Sequence, residues 1–82
     1  MGSMNSHYYR DARLIEEKLT EAGSGDWAFQ IDEAIEGGSS APDILSQLRA
    51  TLTQIQEQNL SLPAQLDQDI EHLARAIDRA LA

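Results

Sequence analysis

Ser40-Ala41-Pro42-Asp43-Ile44-Leu45-Ser46-Gln47-Leu48-Arg49-Ala50-Thr51-Leu52-Thr53-Gln54-Ile55 is the stretch whose reading decides the fold. Ser40 offers a hydroxyl at a helix N-cap, Pro42 falls in the first turn, and Asp43 supplies an acid three residues after the cap. This is an S-x-x-D variant of the capping box. Leu45, Leu48, Leu52 and Ile55 then recur at steps of three, four and three, with Ile44 widening the stripe. Gln47, Thr51, Gln54 and Gln58 fill the other face. The pattern predicts a helix over about 41–58 with one buried side.

The same spacing extends outward in both directions. Toward the C-terminus, residues 59–63 read as a connection, and Ser61-Leu62-Pro63 repeats the Ser-x-Pro restart. Leu66, Ile70, Leu73, Ile77 and Leu81 then line one face of a helix over about 62–81. Glu71 with Arg75, and Arg75 with Asp78, are spaced for ion pairs on its surface. Toward the N-terminus, Gly37-Gly38 ends a short helix over about 26–36, since glycine takes the left-handed conformation at little cost. Asp26 is its expected cap; Trp27, Ile31, Ala34 and Ile35 share its face, and Phe29 lies off that stripe. A first helix over about 6–22 carries Tyr8, Ala12, Ile15, Leu19 and Ala22, with Ser6 as N-cap and Gly23-Ser24-Gly25 as stop.

No run alternates strictly, so all four segments read as helix. Connections of roughly three to five residues favour antiparallel neighbours. The expected fold is therefore all-α: a compact antiparallel bundle of four helices, the second short. At 82 residues there is room for one domain, placed at 6–82. Met1-Gly2-Ser3 reads as an expression scar, and residues 1–5 as a disordered N-terminus. With 41% apolar residues the chain is too hydrophobic for a disordered segment.

Charge and composition exclude several functions. A net charge of −8 argues against DNA, RNA or an anionic membrane surface, each of which needs a basic footprint. It favours a basic protein partner, whose approach would be electrostatically steered. The chain has no cysteine, so disulfides and thiolate metal sites are ruled out. Neither a signal peptide nor a membrane-spanning run is visible, and the expected location is cytoplasmic.

Catalytic and cofactor chemistry finds little to work with. His7 and His72 are the two histidines, and His72 reads as a partly exposed helix residue rather than the base of a triad. Asp69-x-x-His72 has the i, i+3 spacing of a di-iron bundle ligand pair, but such sites need a second copy and two more carboxylates. Gly23-Ser24-Gly25 and Gly37-Gly38 are explained as helix stops and carry no lysine for a phosphate cradle. A helix-turn-helix across Gly37-Gly38 would offer only Arg49 to read bases. The protein is therefore expected to be no enzyme, with no catalytic, cofactor-binding or metal site.

What remains is surface. Glu16, Glu17, Glu21, Asp26, Asp32, Glu33, Glu36 and Asp43 are concentrated in one segment against the single base Lys18, whereas Arg10, Arg13, Arg75 and Arg79 gather toward the chain ends. Glu17, Glu21, Asp26, Trp27, Phe29, Asp32, Glu33 and Glu36 are the candidate partner-binding residues. In this reading carboxylates steer a basic partner and an aromatic anchors it. Trp27 is also readable as core, because a small domain with few aromatics needs them inside.

The run Trp27-Ala28-x-x-Ile31-x-x-Ala34-Ile35-x-Gly37-Gly38-Ser39-Ser40-x-x-x-Ile44-Leu45-x-x-Leu48-Arg49 resembles small acidic all-helical bacterial immunity-type proteins. Such proteins are paired with polymorphic or contact-dependent toxins. The resemblance implies a non-catalytic protein that neutralises a cognate toxin by occluding it, without assigning any binding residue. The alternative is a self-associating helical module, a homodimer built on Leu14, Phe29, Ile44 and Leu60, which the main stripes leave over.

Overall fold

The computed structural model describes the backbone of residues 4–82 and the side chains of residues 8–82; the expected scar at 1–3 lies outside the described residues. Four helices follow in order: α1 (Met4–Glu21), α2 (Gly25–Glu36), α3 (Ala41–Glu57) and α4 (Ala64–Leu81). At 12 residues α2 is the short one, and the all-α bundle read from the sequence is the fold. Each helix packs on its chain neighbours and α4 closes back on α1, while the diagonal pairs keep their backbones apart.

Helix ends show why the boundaries fall where they do. At α3 the Ser40 hydroxyl accepts from the Asp43 N–H at 3.4 Å, and the Asp43 carboxylate accepts from the Ser39 N–H at 3.1 Å. The reciprocal cap reaches one residue further back than the simplest capping box. At the end of α1, Gly23 has φ +84°, the Ser24 N–H donates to the Leu19 carbonyl, and the Gly23 N–H donates to that of Thr20. Those two bonds make a Schellman stop. Asn59, at φ 53°, takes the same left-handed role after α3.

Four expectations about helix ends are corrected. Ser6 is not a cap, because α1 already runs through Met4 and Asn5. Asp26 does not cap α2: Ser24 is the N-cap residue, without a side-chain bond, and Asp26 sits in the first turn where its charge favours the helix dipole. Ser61 caps nothing, since α4 starts after Pro63 with the Leu66 and Asp67 N–H groups on the Pro63 carbonyl. Nor does Gly37 turn left-handed; it continues at φ −88° with its N–H on the Glu33 carbonyl. The glycine requirement lies in Gly38, where an added Cβ would collide with Ile44, 3.1 Å from its Cα and closer still to its side chain.

The core follows the stripes. Ala12, Ile15 and Leu19 from α1 meet Ala28, Ile31 and Ala34 from α2, Leu45, Leu48, Leu52 and Ile55 from α3, and Leu66, Ile70, Leu73, Ala74 and Ile77 from α4. Each large aliphatic in it is worth about 1.5–3 kcal/mol relative to exposure. Leu81, expected as the last member of the α4 stripe, is 40% exposed. From α2 one isoleucine and two alanines are fully buried, with Trp27 and Ile35 packed partly buried beside them.

Ion pairs add ties between the helices. Arg13 joins α1 to α2, Lys18 pairs with Asp69 to join α1 to α4, and Arg49 grips Asp78 with two nitrogens, at 2.6 and 2.9 Å, to join α3 to α4. The expected Arg75–Asp78 pair does not form because Arg49 holds Asp78, whereas Arg75–Glu71 does, at 2.8 Å. Among the described residues the α2–α3 seam carries no such pair. There α2 and α3 meet through the shared apolar core.

Candidate functional site

The eight candidate residues divide between two helices, Glu17 and Glu21 on α1 and the other six on α2. Two residues of a helix that are two apart point about 200° from each other, and this separates the two aromatics. Trp27 turns inward, half-buried against the core, while Phe29 turns out and is 58% exposed. The aromatic exposed on this face is therefore Phe29. Trp27 belongs with the packing.

Phe29 stands at an open groove between α1 and α2. The groove is lined by Thr20, Gly25 and Ala28 together with the charged side chains of Arg13, Glu16, Glu17 and Asp32. Glu21, Asp26 and Glu33 lie on the exposed surface of the same two helices. Together with Glu17 they form no ion pair among the described residues.

Asp32 and Glu36 behave differently. The Arg13 guanidinium reaches Asp32 at 2.6 Å, Glu36 at 2.7 Å and Glu16 at 2.9 Å. The hydrogen bond to Asp32, then that to Glu16, raises the Arg13 pKa above its already high ordinary value, partly opposed by burial. Asp32 and Glu36, though solvent-accessible, are thus already paired within the chain. The sequence reading missed Arg13, which it placed with the cations of the chain ends. The i, i+3 spacing of Arg13 and Glu16 was the available signal; the bonds across to α2 had none.

The opposite flank of α1 meets α4 in a groove of about 190 Å³ lined by Asp11, Leu14, Ile15, Lys18, Asp69 and His72. Lys18 lies 3.0 Å from Asp69, and Gln65 donates to the other oxygen of that carboxylate at 3.0 Å. The Lys18 hydrogen bond first, then that from Gln65, hold Asp69 below the usual carboxylate range. The Asp69-x-x-His72 spacing therefore presents a carboxylate already in use. Among the described residues no three His, Asp or Glu side chains gather as a metal would need.

The four leftover apolar residues do not form one patch. Leu60 packs against the core and Ile44 is half-buried beside Gly38. Leu14 (48% exposed) and Phe29 stay outside, on different flanks of α1 and α2. No helix among the described residues is long and apolar enough to cross a membrane. No protein-family model, curated protein or solved structure matches the chain.

Proposed function

We propose that the protein is a non-catalytic binding module for a basic partner protein, of the immunity or antitoxin kind, that neutralises a toxin by occluding it. The observation that carries this reading is Phe29, a large apolar side chain more than half exposed, with Glu17 lining the same groove from α1 and Asp26 and Glu33 one turn away on α2. Protein interfaces concentrate their energy in such an aromatic anchor, and unpaired charges around it set encounter rate and partner choice. Carboxylates without an ion-pair partner in the chain are free to pair with a partner's lysines and arginines. The cationic side chains that a nucleic-acid-directed toxin uses on its substrate would suit this face.

The test begins with the tagged protein as bait in lysate of its source, followed by kinetics with the captured protein. Glu21→Lys with Glu33→Lys should slow association and flatten its dependence on salt. Phe29→Ala should speed dissociation about tenfold or more. The partner's own activity should fall on binding. A partner held equally well by all three proteins would place its contact elsewhere and end this reading.

A further inference from the structure

We infer that the outer face of α1 is a self-association surface, on which two copies pack α1 against α1 in antiparallel fashion about Leu14. This does not rest on the basic-partner reading. Leu14 is 48% exposed on a helix whose other large aliphatics, Ile15 and Leu19, are buried. An isolated exposed leucine is common; the pattern of charges around this one is what singles it out.

In an α-helix, three residues forward or four back from Leu14 turn about 60° and 40° to one side, and four forward or three back turn as far to the other. One flank of Leu14 therefore holds Arg10 and Glu17, and the other holds Asp11 and Lys18. The structure agrees: Glu17 borders the groove toward α2, whereas Asp11 and Lys18 border the groove toward α4. Each flank thus carries one cation and one anion, seven residues apart and astride Leu14.

A two-fold axis through Leu14, perpendicular to the helix, keeps each flank on its own side and reverses its direction. Arg10 then stands within about one residue rise, 1.5 Å along the axis, of the partner's Glu17. Asp11 stands as close to the partner's Lys18. Both contacts occur twice by symmetry, giving four opposite-sign pairs around an apolar centre. Arg10 and Glu17 form no ion pair within the chain among the described residues, so these charges are available. Lys18 would share its charge between Asp69 and the second copy.

The charge pattern alone also suits a parallel pair, in which Arg10 would meet the partner's Asp11. Antiparallel packing is favoured because it sets the two helix dipoles head to tail. A contact between single helices falls below the roughly 1,200 Å² of stable complexes. The association is accordingly transient, visible at high protein concentration and weakened by salt.

Sedimentation velocity from about 10 µM to 1 mM on the full chain tests the inference, with circular dichroism as the check on folding. The weight-average mass of the unaltered protein should rise with concentration. Leu14→Asp, at a half-exposed position, should keep the fold and abolish the rise. Arg10→Glu should weaken association about five- to tenfold by turning two attractions into repulsions, and Arg10→Glu with Glu17→Arg should restore it. A mass that stays monomeric throughout, or an Arg10→Glu protein that associates normally, overturns the proposal. Recovery with Asp11→Arg in place of Glu17→Arg overturns the antiparallel arrangement.

Discussion

The Nη1 atom of Arg13 on α1 lies 2.6 Å from Oδ1 of Asp32 on α2, and the same guanidinium also holds Glu16 and Glu36. One cation thus serves three carboxylates at the α1–α2 seam. Arg13→Ala removes it and leaves those carboxylates facing one another. The side chain is 41% exposed, so screening by water limits the loss to about 1 kcal/mol. For a domain of this size that is roughly 4–8 °C in Tm. Added salt should recover part of the deficit by damping the repulsion. Arg13→Lys should fall between, since an ammonium lacks the planar fork that reaches several acceptors at once. Urea unfolding at low and high salt measures each.

Gly23 and Gly38 should both resist alanine, for different reasons. Gly23 has open space around it but sits at φ +84°, so Gly23→Ala costs about 1 kcal/mol in backbone strain. Gly23→Asn should cost less, because asparagine tolerates that region. At Gly38 the obstacle is Ile44, and overpacking of this kind costs about 1–3 kcal/mol. Removing the Ile44 side-chain branch in a Gly38→Ala, Ile44→Ala double variant should give coupling that favours the pair. Additive losses would mean that the two positions do not collide.

The fold was legible because its signals are local. The stripe from Leu45 to Ile55 and the cap at Ser40 need only neighbouring residues to be read, and the buried set reproduces that stripe. The stop at Gly23 is local in the same way. The site was only half legible, because charge is long-ranged in sequence. Arg13 and Asp32 are 19 positions apart, and Arg49 and Asp78 are 29 apart. Nothing in a single sequence says which acid a distant arginine will choose. Counting acids along a segment therefore overstated the free face by Asp32 and Glu36. Phe29 was correctly separated from the Trp27 stripe by helical spacing, but the choice of which aromatic faces solvent needed the neighbouring helices.

Two carboxyls carry a pH dependence. Asp78 is held below its ordinary pKa of 3.8 by the hydrogen bond from Arg49, and Asp69 by that from Lys18. A carboxyl with a lowered folded pKa binds its proton more readily when unfolded. Its stabilising contribution is therefore fully present above the unfolded value and disappears as pH falls through the folded one. The stability gap between the unaltered protein and an Asp69→Asn, Asp78→Asn variant should be constant near neutrality. It should close as pH drops from about 4 downward. Urea midpoints at a series of pH values test this. A gap that widens on acidification would contradict the pairing.

Trp27 is the only tryptophan, and its half-buried place against the core makes it a reporter of folding. Its emission should shift to the red on urea unfolding with the same midpoint as the helical circular dichroism, as a two-state domain requires. Trp27→Ala removes packed apolar surface and should cost about 1–3 kcal/mol, less than a fully buried aromatic. Phe29→Ala removes a ring that is 58% exposed, and the unfolding midpoint should move by less than about 0.5 kcal/mol. The pair separates stability from the proposed recognition, because the residue packed on the core and the residue exposed to solvent lie two positions apart on one helix. Should Phe29→Ala destabilise the protein and Trp27→Ala leave it unchanged, the inward and outward faces of α2 would have to be exchanged, and with them the proposed binding face.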